Sequence, residues 1–461
     1  MEMKKHIILI IGLCIYLSGC SSKKDKVIQV PSNEIDKLLE HVTDVMVHDV
    51  TNPPLAARFF SYICLSGYEV LSLNSNIYPS MQGSLNKFPE ITKPQVEGYS
   101  VELSALLAMM ATAKKVQPSG SLIADYEKNF LDSCKRAGYS IEKINKSIEY
   151  AQDVSKQILA YAKVDGYNKT SNYPKYTPLE GEGYWYPTPP AFFAAVEPYF
   201  NTVRPFTLDS AAQFKPDPPV AFSTEKDSPF YKLMMEVYEE GSINLGDNSR
   251  AIATFWDCNP FAVKTTGHLM VALKKISPGA HWIGITGIAC RKENKNFKET
   301  LKIHTVVSVG LMDAFLSCWD EKYRSDRIRP ETAIRKYIDP NWEPLLQTPP
   351  FPEYTSGHST ISAASAYILT HYFGDNFSFI DSTEIKFSLP TRNYSSFMAA
   401  AKEAAVSRLY GGIHYRDANE NGTKQGLKVG EWVIGTVEKI ETKPLVIDSD
   451  HTEEFTSSDI N

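Results

Sequence analysis

Cysteine is scarce in this 461-residue chain, and no two cysteines stand in a C-x-x-C spacing. Beyond the first 20 residues, Cys64, Cys134, Cys258, Cys290 and Cys318 are odd in number and far apart. That pattern argues against a disulfide framework or a zinc knuckle and favours buried small side chains. The chain also lacks H-E-x-x-H, G-x-S-x-G and a P-loop. Metalloprotease, α/β-hydrolase and nucleotide-hydrolase readings therefore have no motif to rest on. Nor is one sign of charge in marked excess: a net charge of −6 gives no support for nucleic acid as a partner. Alternation of Val, Ile and Thr over strand lengths is sparse, and no repeat of fixed period is evident.

What is present begins at the N-terminus. Lys4, Lys5 and His6 precede an apolar stretch from Ile7 to Leu17, shorter than the roughly 20 residues that span a bilayer. The following Leu17-Ser18-Gly19-Cys20 resembles a bacterial lipobox. The resemblance implies an exported bacterial lipoprotein, diacylated on Cys20, membrane-anchored, and periplasmic or at the cell surface. The sequence divides into a signal peptide over 1–19, a tether over 20–32, and a helical N-terminal region over 33–227. A second helical region follows over 228–442, then a polar tail over 443–461.

Helical spacing of apolar residues recurs in "NEIDKLLEHVTDVMVHDV", "VELSALLAMMATAKKV" and "IEKINKSIEYAQDVSKQILAYAKV". Between Tyr173 and Pro219 the texture turns Pro- and aromatic-rich, which predicts an ordered, extended strap across the helical body. Helical patterns resume near Ser228, and Val306–Trp319 is apolar nearly all round, the mark of a central buried helix. The expected fold class is all-α.

Three segments could carry chemistry. In "EKYRSDRIRPETAIRK", Lys322 and Arg329 lie seven residues apart, so a helix running up to Pro330 would project both from one face. Ion pairs with Glu321, Asp326 and Glu331 would account for this segment as a solvated face. In "FPEYTSGHSTISAASAYIL", Ser356-Gly357-His358 heads an apolar, small-residue run that reads as a helix. That start could be a plain helix cap or, with its dipole and bare backbone, an anion site. In "AVSRLYGGIHYRD", the Gly411-Gly412 pair breaks the helix and lets His414 swing back toward Arg408. Together, Lys322, Arg329 and Arg408 supply three fixed positive charges, with Ser356 and the Gly357 backbone as further donors. That set fits the equatorial oxygens of a tetrahedral or trigonal-bipyramidal oxyanion, leaving His358 and His414 for the axial positions. His41, His48, His268, His281, His304 and His371 read as structural.

Lys322-x6-Arg329-Pro330, Ser356-Gly357-His358 and Ser407-Arg408-x5-His414 resemble, in order, the three signature motifs of the type-2 phosphatidic-acid-phosphatase superfamily. This superfamily joins bacterial acid phosphatases and vanadium-dependent haloperoxidases on one all-α fold. The long helical N-terminal half and the strap point to the haloperoxidase-like branch. The resemblance implies vanadate held by Lys322, Arg329, Ser356, Gly357 and Arg408, with His414 as the vanadium ligand. It further implies His358 as proton carrier and Lys322 as the group that polarises bound hydrogen peroxide before a halide attacks. Phe351 and Trp319 match residues on the halide side of fungal chloroperoxidases.

Two other functions use the same residues. Phosphate could occupy the cage, with His414 as nucleophile and His358 protonating the leaving alcohol of a phosphate ester. A non-catalytic anion-binding lipoprotein is the remaining alternative. The sequence departs from the superfamily at Thr355, where proline is usual, and at Ala418, where an acid is expected. Either Asp417, one step early, substitutes with altered geometry in supporting a site histidine, or that support comes from elsewhere; Asp257 is a candidate partner for Arg408.

Overall fold

The computed structural model describes residues 29–242, 245–266 and 269–439. The signal peptide with Cys20, most of the tether, His268 and the polar tail lie outside the described residues.

The architecture is helical, as the spacing predicts. Helices α1 (Asn33–His48), α2 (Pro53–Ser72), α3 (Val101–Val116), α4 (Ser121–Arg136) and α5 (Ile141–Lys163) form the first half. The second half contains α6 (Pro229–Glu240), α7 (Asp247–Phe255), α8 (Pro278–Lys292), α9 (Phe297–Ser325) and α10 (Pro330–Tyr337). It is completed by α11 (Gly357–Phe373), α12 (Phe397–Tyr410) and α13 (Arg416–Glu438). Two small antiparallel hairpins are the only sheets among the described residues, β1 (Val263–Thr266) with β2 (Leu269–Ala272) and β3 (Phe379–Asp381) with β4 (Arg392–Tyr394).

Helix α9 is the axis of the molecule. Its start is fixed by a capping box in which the Asn296 side chain accepts from Glu299 N and Glu299 returns a bond to Asn296 N. From Thr300 to Trp319 nearly every side chain is buried, against α2 on one side and α11 and α13 on the other. One continuous hydrophobic core therefore runs through both halves of the chain.

Helix α11 is held against α13 by backbone-to-backbone packing. A Cβ at Gly422, Gly426 or Gly430 would lie within 3 Å of the carbonyl oxygens of Ser356, Thr360 and Ala364 respectively. Three glycines at four-residue spacing thus set the distance between α13 and the helix that begins with the Ser-Gly-His triplet.

The Pro-rich segment is the expected strap. Trp185 is fully buried and its backbone N–H donates to Asp326 O (2.8 Å), while Ile328 N donates to Gly183 O (3.0 Å). Further along, the Val196 carbonyl accepts from both Trp319 Nε1 (3.1 Å) and Tyr323 Oη (2.6 Å). The strap therefore fastens directly onto the C-terminal end of α9.

One local expectation fails. α9 does not run to Pro330; it stops at Ser325, where Asp326 adopts a left-handed conformation (φ 47°). Arg329 is the extended N-cap of α10, and Pro330 opens that helix at its first position. Proline restricts the residue before it to extended backbone and is favoured at the first turn, so it starts a helix here instead of ending one. Lys322 and Arg329 consequently converge from two elements and not from one helix face.

Candidate active site

Helix α11 starts as its sequence suggests. Ser356 is the N-cap, and its Oγ accepts from Ser359 N (3.4 Å) and Ser359 Oγ (2.8 Å). The N–H groups of Gly357 and His358 have no acceptor among the described residues, leaving the positive end of the helix free for an anion.

Beside this helix end is a small pocket walled by Phe261, Phe315, Trp319 and Phe351. Gly357, His358, Arg408 and His414 also line it. Phe351 packs against Trp319 at a tilt of 51°, with ring centroids 5.0 Å apart. Both aromatic candidates therefore face the pocket that holds the histidines.

His414 comes from the turn after α12, where Gly412 takes a φ of +72° and redirects the chain. Its ring is almost fully buried and fixed at both nitrogens. Nδ1 lies 2.7 Å from Glu353 Oε1, and Nε2 lies 3.2 Å from an Arg329 Nη that donates to it. The carboxylate can only accept, so the proton belongs on Nδ1 and the Nε2 lone pair faces the cage. Burial, followed by the charges of Arg329 and Lys322, holds the His414 pKa well below the ordinary histidine value. The neutral form is thus favoured, and Nε2, whose lone pair accepts from Arg329, is the atom that can ligate once that bond gives way.

Arg329 is fully buried. Nε donates to Phe351 O (2.9 Å) and one Nη to Ile413 O (2.8 Å), while the other Nη has no partner. Burial brings its pKa down to about 10, which leaves it charged at neutral pH. Arg408 is anchored by Ser407 Oγ (2.9 Å) and by Trp256 O (2.7 Å). His358 has a buried Nε2 with no partner, and burial together with Arg408 and His414 holds its pKa well below the usual value. Two unpartnered buried nitrogens, one a cationic donor, point to a missing oxyanion.

Lys322 is fully buried and donates to three loop carbonyls, Pro352 O (3.0 Å), Glu353 O (3.0 Å) and Thr355 O (2.6 Å). Its ammonium sits 5.1 Å from the Phe351 ring centroid, behind the pocket wall. Lys322, Arg329 and Ser356 thus back the pocket, whereas Arg408, Gly357, His358 and His414 line it. Thr355, in the place of the superfamily's proline, donates from its hydroxyl to Gln425 Oε1 (2.7 Å).

Of the two alternatives for supporting His414, the structure has the second: the support comes from elsewhere than Asp417. Asp417 does not reach the histidine; it forms a two-bond fork with Arg327 (2.6 and 2.8 Å). Arg327 Nε in turn donates to Glu353 Oε2 (2.6 Å), whose other oxygen holds His414 and accepts from Tyr415 N (3.0 Å). The order is therefore Asp417, Arg327, Glu353, His414. Burial lowers the Arg327 pKa, but Glu353 and Asp417 outweigh it and raise the value. Asp257 pairs with Lys275 and makes no hydrogen bond to Arg408 among the described residues. Glu353 and Arg327 were not singled out from the sequence. The available cue was a lone carboxylate in "FPEYTSGH", where every neighbour back to Pro349 is uncharged.

An all-α scaffold presenting a buried, histidine-terminated cationic cage defines an oxyanion-dependent enzyme. A family model described as the VCPO second helical-bundle domain matches residues 336–442. The fold superposes on the first bacterial vanadium-dependent iodoperoxidase with a TM-score of 0.83 and 43% identity, covering 91% of this chain and 98% of that one. A holo-type bacterial vanadium-dependent chloroperoxidase gives 0.64 and 14% over 89% of this chain and 94% of that one. Its apo-type form gives 0.63 and 15%, covering 86% and 95%; these two matches show the shared fold. Among curated proteins there is no match. The chain belongs to the vanadium-dependent haloperoxidases, and vanadate is the cofactor. The residues fit that group: the free Arg329 Nη, the Nε2 lone pair of His414 and the open N–H groups of α11 are what a vanadate needs.

Proposed function

We propose that the chain oxidises iodide with hydrogen peroxide in preference to bromide and chloride. The observation that carries this reading is the 43% identity, along 91% of the chain, with a bacterial iodoperoxidase. The aromatic and proline-rich pocket wall agrees with it, because a large, weakly hydrated anion gives up its water more cheaply than chloride does.

In this reading His414 presents Nε2 as the ligand. Arg329, Arg408 and Lys322 supply the positive charge, and Ser356 and the Gly357 backbone complete the donor set. Bound vanadate supplies the Lewis acidity that makes peroxide electrophilic toward halide. Neutral His358, its buried Nε2 unpartnered, would take up a proton from hydrogen peroxide and give it back. Lys322 contributes charge from behind the wall and must release a loop carbonyl before it can donate to an oxyanion.

The test is steady-state oxidation of iodide, bromide and chloride by vanadate-loaded protein, alongside phosphate-ester hydrolysis. Iodide should give the highest kcat/KM, and activity should require vanadate. Phosphate release inhibited by vanadate, without halide oxidation, would overturn the reading.

Lys322 also gives a pH dependence. Burial brings its pKa from the ordinary lysine value down to about 7, so the free protein loses this positive charge as pH rises through that value. Vanadate affinity should therefore fall above about pH 7, and the fall should be flatter in Lys322→Met, as measured by equilibrium dialysis. An equal slope in both proteins would place its origin elsewhere.

The lipobox-like Leu17–Cys20 stretch supports an exported form held on a membrane by lipid. Cys20→Ser should move the protein from the membrane to the soluble fraction; unchanged sedimentation would count against it.

A further inference from the structure

Behind the pocket stands a second polar cluster that the vanadate reading does not use. Cys258 follows α7 and lines the pocket; His281 lies in the first turn of α8; Glu384 follows β3. His281 Nδ1 lies 3.5 Å from Cys258 Sγ and 3.4 Å from Glu384 Oε1, and the three ligand atoms all lie within 4.8 Å of one another. All three residues are more than nine-tenths buried, and Glu384 Oε1 has no hydrogen-bond partner. On its far side, His281 Nε2 meets Asp381 Oδ2 at 2.8 Å, and Asp381 is itself held by Thr383 N (3.0 Å) and Thr383 Oγ1 (2.7 Å).

We propose that Cys258, His281 and Glu384 form a divalent-metal site of the zinc class, with Asp381 orienting the histidine. Three features carry this. First, the 3.4 Å between His281 Nδ1 and Glu384 Oε1 is too long for a good hydrogen bond, which runs at about 2.7–3.2 Å between nitrogen and oxygen, while the 3.5 Å to Cys258 Sγ is ordinary for sulfur. Both match the roughly 3.3–3.6 Å that tetrahedral bonds of about 2.0–2.3 Å impose between neighbouring ligand atoms. Second, with Nε2 taken by Asp381, His281 turns Nδ1 toward the unpartnered Glu384 Oε1. An incoming cation would take the place of the proton between them, as metal binding at a histidine releases protons. Third, carboxylate, histidine and metal in that order is the usual support for a zinc-ligating imidazole. A thiolate and a carboxylate together neutralise a divalent ion, and Asp257 is already committed to Lys275. Of the three, Cys258 lines the pocket, and a water would complete the coordination.

The metal would tie α7, α8 and the β3 hairpin together beside the cage. The Trp256 ring stacks on His281 at 4.4 Å, and the Trp256 carbonyl anchors Arg408.

Chelator-treated, full-length protein is titrated with Zn²⁺ and with Co²⁺, reading stoichiometry by elemental analysis and the cobalt–thiolate charge-transfer band by absorption. One equivalent is expected, with a rise in melting temperature. Cys258→Ser should abolish the band, Glu384→Gln should weaken binding at least about 10-fold, and Asp381→Asn about 10–100-fold. His414→Ala should bind metal as the wild type does. No stoichiometric uptake, uptake unchanged in both Cys258→Ser and Glu384→Gln, or uptake lost in His414→Ala would overturn the proposal. If those variants do not fold, the wild-type cobalt spectrum decides, since a spectrum without thiolate ligation excludes Cys258.

Discussion

Exchanging Glu353 for glutamine is expected to weaken vanadate binding about 10–100-fold, the usual cost of losing the partner that orients a metal-bound histidine. The reason is geometric. Glu353 uses one oxygen for His414 Nδ1 and Tyr415 N, and the other for Arg327 Nε. A glutamine has one acceptor oxygen and one amide. If its oxygen faces His414, its NH2 meets the Arg327 guanidinium, donor against donor; reversed, the amide meets the Nδ1–H. Either way, one buried group is left unserved. Calorimetric titration with vanadate gives the loss, and the ¹⁵N shifts of His414 report which ring nitrogen carries the proton. Wild-type affinity in a folded Glu353→Gln protein would remove Glu353 from the supporting chain.

Arg327→Met is expected to be the most destabilising single change near the site, by about 3–5 kcal/mol, because removing one partner strands a buried charge. Arg327 is 3% exposed and serves two carboxylates, of which Glu353 is fully buried. Its guanidinium also lies over the Tyr354 and Tyr415 rings, at 4.7 and 5.0 Å from their centroids, so methionine replaces the packing in part and the charge not at all. Chemical denaturation measures the difference. The double variant Arg327→Met/Asp417→Asn should cost less than the sum of the two singles, since the partners share one interaction. A loss below about 1 kcal/mol, the range of exposed ion pairs, would mean that the fork matters little.

How much of this was legible beforehand depended on whether the cause was local. Helices α3 and α5 followed from apolar spacing, to which the structure adds Ser100 and Ser140 as N-caps. The strap followed from proline density. The cage residues were legible because three short motifs each carry their own chemistry. Where the signal failed, the deciding contact was distant in sequence. Asp417 was near the right spacing for His414, but Arg327, 90 residues earlier, captured it. The partners of His281, Asp381 and Glu384 about 100 residues later, likewise give no spacing pattern with it. The break between α9 and α10 was a misreading of Pro330, which is a helix starter as readily as a helix stopper.

The strap has a bearing on inheritance. Residues 336–442 match a family model and contain His358, Arg408 and His414, so they look like a transferable module. They are not one. The loop carrying Phe351 is stitched to the strap, where Val196 N meets Pro350 O at 3.1 Å, and the Val196 carbonyl in turn grips Trp319 and Tyr323. Transplanted alone, that segment would carry the residues that read as catalytic but not the outer wall of their chamber. Gene fusions or truncations that spare the three motifs yet cut within 173–219 should therefore yield chains that pass for the family by sequence and do no halide chemistry.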